Sequence, residues 1–287
     1  MSGSPPFLDH CGPLLTRYDV LLCDVWGVIH NGVESFPAAC DALRRAREQG
    51  ATVMLISNSP RPSRGVVPQL DGLKVPRESY DAMVTSGDVT VAVIKERPEQ
   101  SVFHLGPPRD LPIYQGLGVE LTDAENADYV VCSGLFDDTK ETPEDYRGLC
   151  ERMRARGLFM LCANPDVVVE RGTDLVYCAG AIADLYKSMG GEVVYAGKPY
   201  APIYQRTLAQ AEQLRGRKLP LDRVLAIGDS VRTDLTGAAE LGVDFLFLTG
   251  GIHAGEIGHA DAADPDTLKL FFEDNRMPKA VVRRLVW

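Results

Sequence analysis

The 287-residue sequence lacks a Cys-x-x-Cys pair, and its seven cysteines are irregularly spaced. That arrangement fits neither a disulfide framework nor a zinc ribbon, and reduced thiols in a cytosolic enzyme are the expectation. No apolar run approaches the roughly 18 residues needed to cross a bilayer. Met1-Ser2-Gly3-Ser4-Pro5-Pro6 carries no basic segment followed by an apolar stretch, so a cytoplasmic location without a membrane is expected. Positive charge is in deficit: 30 Lys and Arg stand against 40 Asp and Glu, for a formal net charge of −10. Nucleic acids and anionic head groups reward clustered Lys and Arg, so the chain offers neither of them a general attraction. Internal repeats and low-complexity tracts are absent as well.

What is present reads as a globular protein, 45 % hydrophobic and 24 % charged, long enough for one large α/β domain or two ordinary ones. Short apolar runs alternate with helical patterns, the signature of βα units that build a mostly parallel sheet. Strands are expected at 20–24, 52–57, 224–228 and 243–248. The segment 37–49 opens on Pro37, places Ala38, Ala42, Leu43 and Ala46 on one face and stops at Gly50, so it reads as a helix, with Arg44, Arg45 and Arg47 on its solvated side. A second βα set has strands at 102–105, 129–132 and 158–162. It also has a helix over 143–156, with Thr142 as N-cap, a stripe of Tyr146, Leu149, Cys150 and Met153, and Gly157 as stop. This block, residues 85–192, reads as a domain inserted into a discontinuous core formed by 1–84 and 193–287.

Four polar elements fall at the ends of these strands. Asp24 closes the run Leu21-Leu22-Cys23-Asp24, Ser57 closes the second strand, Lys198 lies in Gly197-Lys198-Pro199, and Asp229 and Asp234 lie in Gly228-Asp229-Ser230-Val231-Arg232-Thr233-Asp234. Alone, each has an ordinary explanation: a turn aspartate, a satisfied hydroxyl, a solvated lysine, a helix cap. Together they occupy the carboxyl edge of a parallel sheet, where α/β proteins bind ligands.

In that order the elements resemble the motifs of the haloacid dehalogenase superfamily. The run Gly27-Val28-Ile29-His30-Asn31-Gly32, the run Ser57-Asn58-Ser59-Pro60-Arg61, Ala163-Asn164-Pro165-Asp166 and the later Thr249-Gly250-Gly251 are similar to those of its class IIA members, the nitrophenylphosphatase-like and pyridoxal-phosphatase-like group. The likeness covers roughly residues 18 to 255. It implies an α/β fold, a Rossmann-like core with an inserted α/β cap that closes over the site and chooses the substrate. It also implies a small phosphorylated metabolite as substrate and Mg²⁺ as cofactor, and it is compatible with a homodimer.

Residue by residue, the resemblance makes Asp24 the nucleophile that forms an aspartyl phosphate. Ser57 and Lys198 hold the phosphoryl oxygens. Asp24, Asp229 and the main-chain carbonyl of Trp26 become magnesium ligands, with Asp234 as a supporting or water-mediated partner. Mg²⁺ prefers such oxygen donors. Asn58, Asn164 and Asp166 are implied as contributors to substrate binding, and segments 32–37 and 180–184 are candidates for the entrance.

One departure stands out. Where the phosphatases of that superfamily carry a second aspartate as general acid and base, this chain has Trp26. Indole has one N–H donor and no acceptor, so it neither protonates a leaving oxygen nor activates water. A positioned acid or base is worth roughly 10²–10⁴-fold. Three readings stay open: a magnesium-dependent phosphohydrolase for activated leaving groups or with a borrowed proton carrier such as His30, a hydrolase of altered reaction type, and a phosphometabolite-binding protein that lost turnover. His10, His104, His253 and His259 show no ligand spacing and read as surface or loop residues, and Cys23 reads as core.

Overall fold

The structure, a computed structural model, describes residues 4–171, 174–257, 264–273 and 276–287; His259 lies outside them. The chain divides into two compact units. The first comprises residues 1–57, 68–84 and 204–287, and the second 58–67 and 85–203.

The first unit is built on a seven-stranded sheet in the order Phe7–Leu8, Ala280–Val282, Asp244–Leu248, Val224–Gly228, Val20–Cys23, Thr52–Ser57 and Ala82–Thr85. From the Phe7 edge to Thr52–Ser57 every pairing is parallel. The four strands at the sheet centre are β-branched and Leu-rich, and nearly every residue in them is buried, as expected of a sheet covered on both faces. Cys23 is fully buried, in keeping with a core role. The helix Pro37–Glu48 buries Ala39, Cys40, Ala42, Leu43 and Ala46. Its apolar stripe therefore starts at Ala39, and Ala38, expected on that face, is exposed. Its outer face is held by Arg44 and Arg45 on Asp41 and by Arg47 on Asp81.

Two strands begin later than the sequence pattern suggests, for one physical reason. Gly242 and Gly157 adopt left-handed φ of +79° and +69° at helix ends. The N–H groups of Val243 and Leu158 then turn back to Ala238 and Met153 carbonyls, so these apolar residues close helices instead of opening strands. The strands start at Asp244 and Met160.

At the amino end of the central strands, Asp19 is ringed by Arg217 at 2.7 Å, Arg223 at 2.9 Å and Arg215 at 3.9 Å. The Arg223 hydrogen bond is the main reason its carboxyl is held below the ordinary 3.8. A carboxyl with a lowered native pKa contributes stability above its unfolded-state value and loses it as pH falls through the native one. Asp19→Asn is therefore expected to lower the free energy of unfolding in urea at neutral pH. Its deficit against the parent should shrink below about pH 3.8; a deficit independent of pH would contradict the ion-pair account.

The second unit carries its own parallel sheet, ordered Val193–Tyr195, Met160–Cys162, Tyr129–Cys132, Val102–Leu105 and Leu121–Thr122. A separate antiparallel pair joins Val168–Arg171 to Asp174–Tyr177. Tyr146, Cys150, Met153, Ile182 and Tyr186 pack onto the sheet as its helical cover. Thr142 begins the expected helix, its N–H and hydroxyl both donating to Asp145 at 2.7 and 2.9 Å. The first turn is tight, over Pro143–Tyr146, and continues as Arg147–Ala155. The sequence reading ends the insertion at residue 192, whereas the structure extends the second unit to Ile203. The cause is the pairing of Val193–Tyr195 with Met160–Cys162, which ties the following residues to this sheet.

All seven cysteines are buried and none is in a disulfide. Burial pushes the Cys11 and Cys150 thiols up to about 11, so they are inert at neutral pH. No helix among the described residues is long and apolar enough to cross a membrane.

Candidate active site

The predicted residues fall into two groups, one in each unit. In the first unit Asp24 follows the strand Val20–Cys23, and its N–H still donates to the Ile227 carbonyl at 2.8 Å. Because Cys23 is level with Ile227, Asp24 is level with Gly228 and Asp229 lies one residue beyond. Two adjacent parallel strands therefore deliver two carboxylates to one edge of the sheet. Asp234 arrives from the wide π-type turn Val231–Leu235 that follows. Such turns widen a helix locally and recur at functional sites. Ser230 starts this turn, its hydroxyl accepting from Thr233 N–H, and the Asp234 carboxylate accepts the Ser230 N–H at 3.2 Å.

The outcome is a cluster in which carboxylate oxygens of Asp24, Asp229 and Asp234 all lie within 4.8 Å of one another, each residue buried. At an effective dielectric of about 20, an ionised pair at this separation repels by roughly 3 kcal/mol. A hard divalent cation offsets that repulsion, and an all-oxygen donor set suits Mg²⁺ better than softer metals. The surrounding backbone is shaped around the carboxylates. A Cβ on Gly27, whose φ is +82°, would lie 2.2 Å from Asp229 Oδ2, and one on Gly251 would lie 2.0 Å from the same oxygen. Ile252 N–H donates to Asp229 Oδ2 at 3.0 Å. The loop Thr249-Gly250-Gly251 thus leads into the N–H that orients Asp229, a role the sequence motif does not disclose. The donor chemistry, convergence and glycine-lined space fit a divalent cation.

Ser57 ends the strand next to Asp24's and is buried. Trp26 is half-buried. Its ring packs edge-on to His30 at 5.1 Å between centroids, and Gly27 N–H donates to the His30 carbonyl at 2.8 Å. His30 itself is 2 % exposed, and burial pushes its pKa down to about 4. Its Nδ1 accepts the Gly32 N–H at 2.9 Å, which fixes a neutral ring with the proton on Nε2. The imidazole thus braces the 26–36 loop through Nδ1 and carries its proton on Nε2.

His253 holds the other side of the Asp229 loop. Its Nε2 accepts Val231 N–H at 3.3 Å and its Nδ1 bonds Glu256 at 2.7 Å. His104, in the second unit, sits between Tyr114 hydroxyl and the Pro107 carbonyl. Read from sequence as loop or surface groups, both are tied into specific bonds.

The second unit gathers Asn58, Asn164, Asp166 and Lys198. The Asn58 side chain clamps the Lys198 backbone from both sides: its Oδ1 accepts Lys198 N–H at 2.7 Å and its Nδ2 donates to the Lys198 carbonyl at 3.2 Å. The same Nδ2 reaches Asp166 at 2.9 Å. Asn164 Oδ1 accepts Asp166 N–H at 3.1 Å, the Asx turn that an Asn-Pro-Asp run favours. Lys198 is only 3 % exposed, so it is no solvated surface lysine. The network explains the distant runs Ser57-Asn58 and Gly197-Lys198: the amide of the first sets the backbone of the second.

Residues 21–120 match the model of the family described as haloacid dehalogenase-like hydrolase, and residues 195–269 match a second model described as HAD-hydrolase-like. A solved hydrolase of the haloacid dehalogenase-like family from Brucella suis 1330 is 47 % identical, covers 97 % of this chain and all of its own, and superposes with a TM-score of 0.87. The chain belongs to the haloacid dehalogenase-like hydrolase family, in its class IIA phosphatase branch. More distant relatives include the 5'-nucleotidase YutF of Bacillus subtilis strain 168, 25 % identical over 83 % of this chain and 90 % of its own. The 4-nitrophenylphosphatase of Schizosaccharomyces pombe is 24 % identical over 86 % of this chain and 89 % of its own.

Proposed function

We propose that the protein is a magnesium-dependent phosphohydrolase that acts on a small phosphorylated metabolite through an aspartyl phosphate on Asp24. The observation that carries this reading is the buried convergence of Asp24, Asp229 and Asp234. Asp24 and Asp229, with the main-chain carbonyl of Trp26, would hold Mg²⁺, and Asp234 supports them. When bound, the ion neutralises negative charge as the carboxylate nucleophile meets a phosphate dianion.

The chain's own residues do the rest. Asp24 attacks phosphorus in line with the departing oxygen. Ser57 donates its hydroxyl to a phosphoryl oxygen and Lys198 supplies an ammonium, whose charge is worth more in a water-poor setting. Asn58 fixes the Lys198 backbone, and Asn164 and Asp166 contribute to substrate binding. The second unit serves as the cap that selects the substrate. The two curated relatives named above are described as a nucleotidase and a nitrophenylphosphatase, which supports phosphoester chemistry for this chain too. Seven buried cysteines outside any disulfide are in keeping with a cytoplasmic setting.

Trp26 favours a second reading, a phosphate binder without turnover. Release of phosphate from 4-nitrophenyl phosphate and from sugar phosphates, assayed with and without Mg²⁺, separates the two. Magnesium-dependent release supports the hydrolase, and tight phosphate binding with no release supports the binder.

A further inference from the structure

Trp26 is held more firmly than a residue that merely fills space. Gly32, at φ +87°, lies so close that a Cβ there would meet the indole at 2.5 Å. The backbone of Trp26 bridges to His30, whose backbone in turn bridges to Ser35, and Asn31 Oδ1 accepts the Val33 and Glu34 N–H groups at 3.0 and 2.9 Å. The 26–36 loop is thus a closed turn built around a half-buried aromatic ring two residues from the nucleophile.

Two histidines of the first unit, one in this loop and one beside the Asp229 loop, are already engaged. His30 Nδ1 takes the Gly32 N–H, and both nitrogens of His253 are bonded to Val231 and Glu256. Asp24, Asp229 and Asp234 form the carboxylate cluster. The indole offers only a very weakly acidic N–H.

We infer that Trp26 sets the leaving group: the enzyme turns over phosphates whose leaving group departs as a stable anion, an aryl oxide, a carboxylate or a phosphate, and discriminates against alkyl phosphates. This rests on the phosphohydrolase reading above. In the first step an Asp24 oxygen forms a bond to phosphorus while the bond from phosphorus to the leaving oxygen breaks. The electron pair stays on that oxygen, which departs as the anion with no proton supplied. In the second step water attacks phosphorus and the Asp24 carboxylate is regenerated. One water proton remains on hydrogen phosphate and the other passes to solvent.

The test is kcat/KM with Mg²⁺ across aryl phosphates of graded phenol acidity, with acetyl phosphate and glycerol phosphate as further arms. The expected result is a steep fall as the phenol becomes less acidic, turnover of acetyl phosphate, and glycerol phosphate slower than the best aryl ester by about 10²–10⁴-fold, the worth of the missing acid. A shallow slope with glycerol phosphate matching the aryl esters would overturn the inference and leave the phosphohydrolase reading standing. No turnover of any member would overturn that reading, and this inference with it. Trp26→Asp should raise the alkyl-to-aryl ratio of kcat/KM by about 10²-fold or more. Trp26→Asn, equally small but without an acidic proton, should leave the ratio unmoved; an equal rise in both variants would show that pocket shape sets the preference. If Trp26→Asp does not fold, the slope of the parent enzyme decides alone.

Discussion

Asp24→Asn is expected to lower kcat on 4-nitrophenyl phosphate by at least about 10⁴-fold, the scale on which loss of a covalent nucleophile is felt. The side chain keeps its size, so the fold should be retained. Without added Mg²⁺, inorganic phosphate should bind at least as well as before, because a dianion no longer faces the ionised carboxylate. The pair of measurements is what makes the result specific. A folded variant that binds phosphate but has lost turnover identifies Asp24 as the reacting group, whereas a variant that retains a tenth of the activity removes it from that role.

The second large effect is expected at Asp229. Its Oδ2 accepts the Ile252 N–H and lies where Cβ atoms on Gly27 or Gly251 would collide with it, so the local backbone is adapted to this one carboxylate. Asp229→Asn removes a charge from a cluster whose ionised pairs repel by roughly 3 kcal/mol each. Without added metal the variant should therefore melt at a higher temperature than the parent. With Mg²⁺ the order should reverse, since the parent gains binding energy that the variant cannot. Activity should fall by about 10³-fold, corresponding to several kcal/mol of charge stabilisation. Thermal scans with and without Mg²⁺ give the check. If Mg²⁺ raises the melting temperature of parent and variant alike, the cation is not bound at this cluster.

Much of this was legible in the sequence, because the informative residues sit at strand ends. Apolar β-branched runs located Thr52–Ser57, Val102–Leu105, Tyr129–Cys132 and Val224–Gly228 at their observed limits. Once those strands run parallel, register brings Asp24 and Asp229 to one edge. Strands of three or four residues such as Val193–Tyr195 and Ala280–Val282 went unread. Too short to show periodicity, they owe their pairing to tertiary neighbours. Val243 and Leu158 looked like strand residues because hydrophobicity alone does not reveal that a left-handed glycine has already committed their N–H groups to a helix end.

The site shows the same division. Residue identity pointed to the carboxylates, the lysine and the missing acid. It could not reveal that Asn58 grips both sides of the Lys198 backbone, since that contact spans 140 residues. Nor could it show that His30 is a neutral, bonded ring. That follows from 2 % exposure and one N–H donor placed by Gly32. Trp26 was conspicuous in sequence as a substitution, and its packing against His30 and Gly32 makes it a structural element of the loop.

The most direct measurement is acid quenching of the enzyme during turnover of 4-nitrophenyl phosphate with Mg²⁺, followed by mass spectrometry of its peptides. With no acid or base at position 26 to assist hydrolysis of the intermediate, the peptide containing Asp24 is predicted to carry the added mass of one phosphoryl group. Steady product formation with that peptide unmodified at every quench time, or with the phosphoryl group on another residue, would contradict the account.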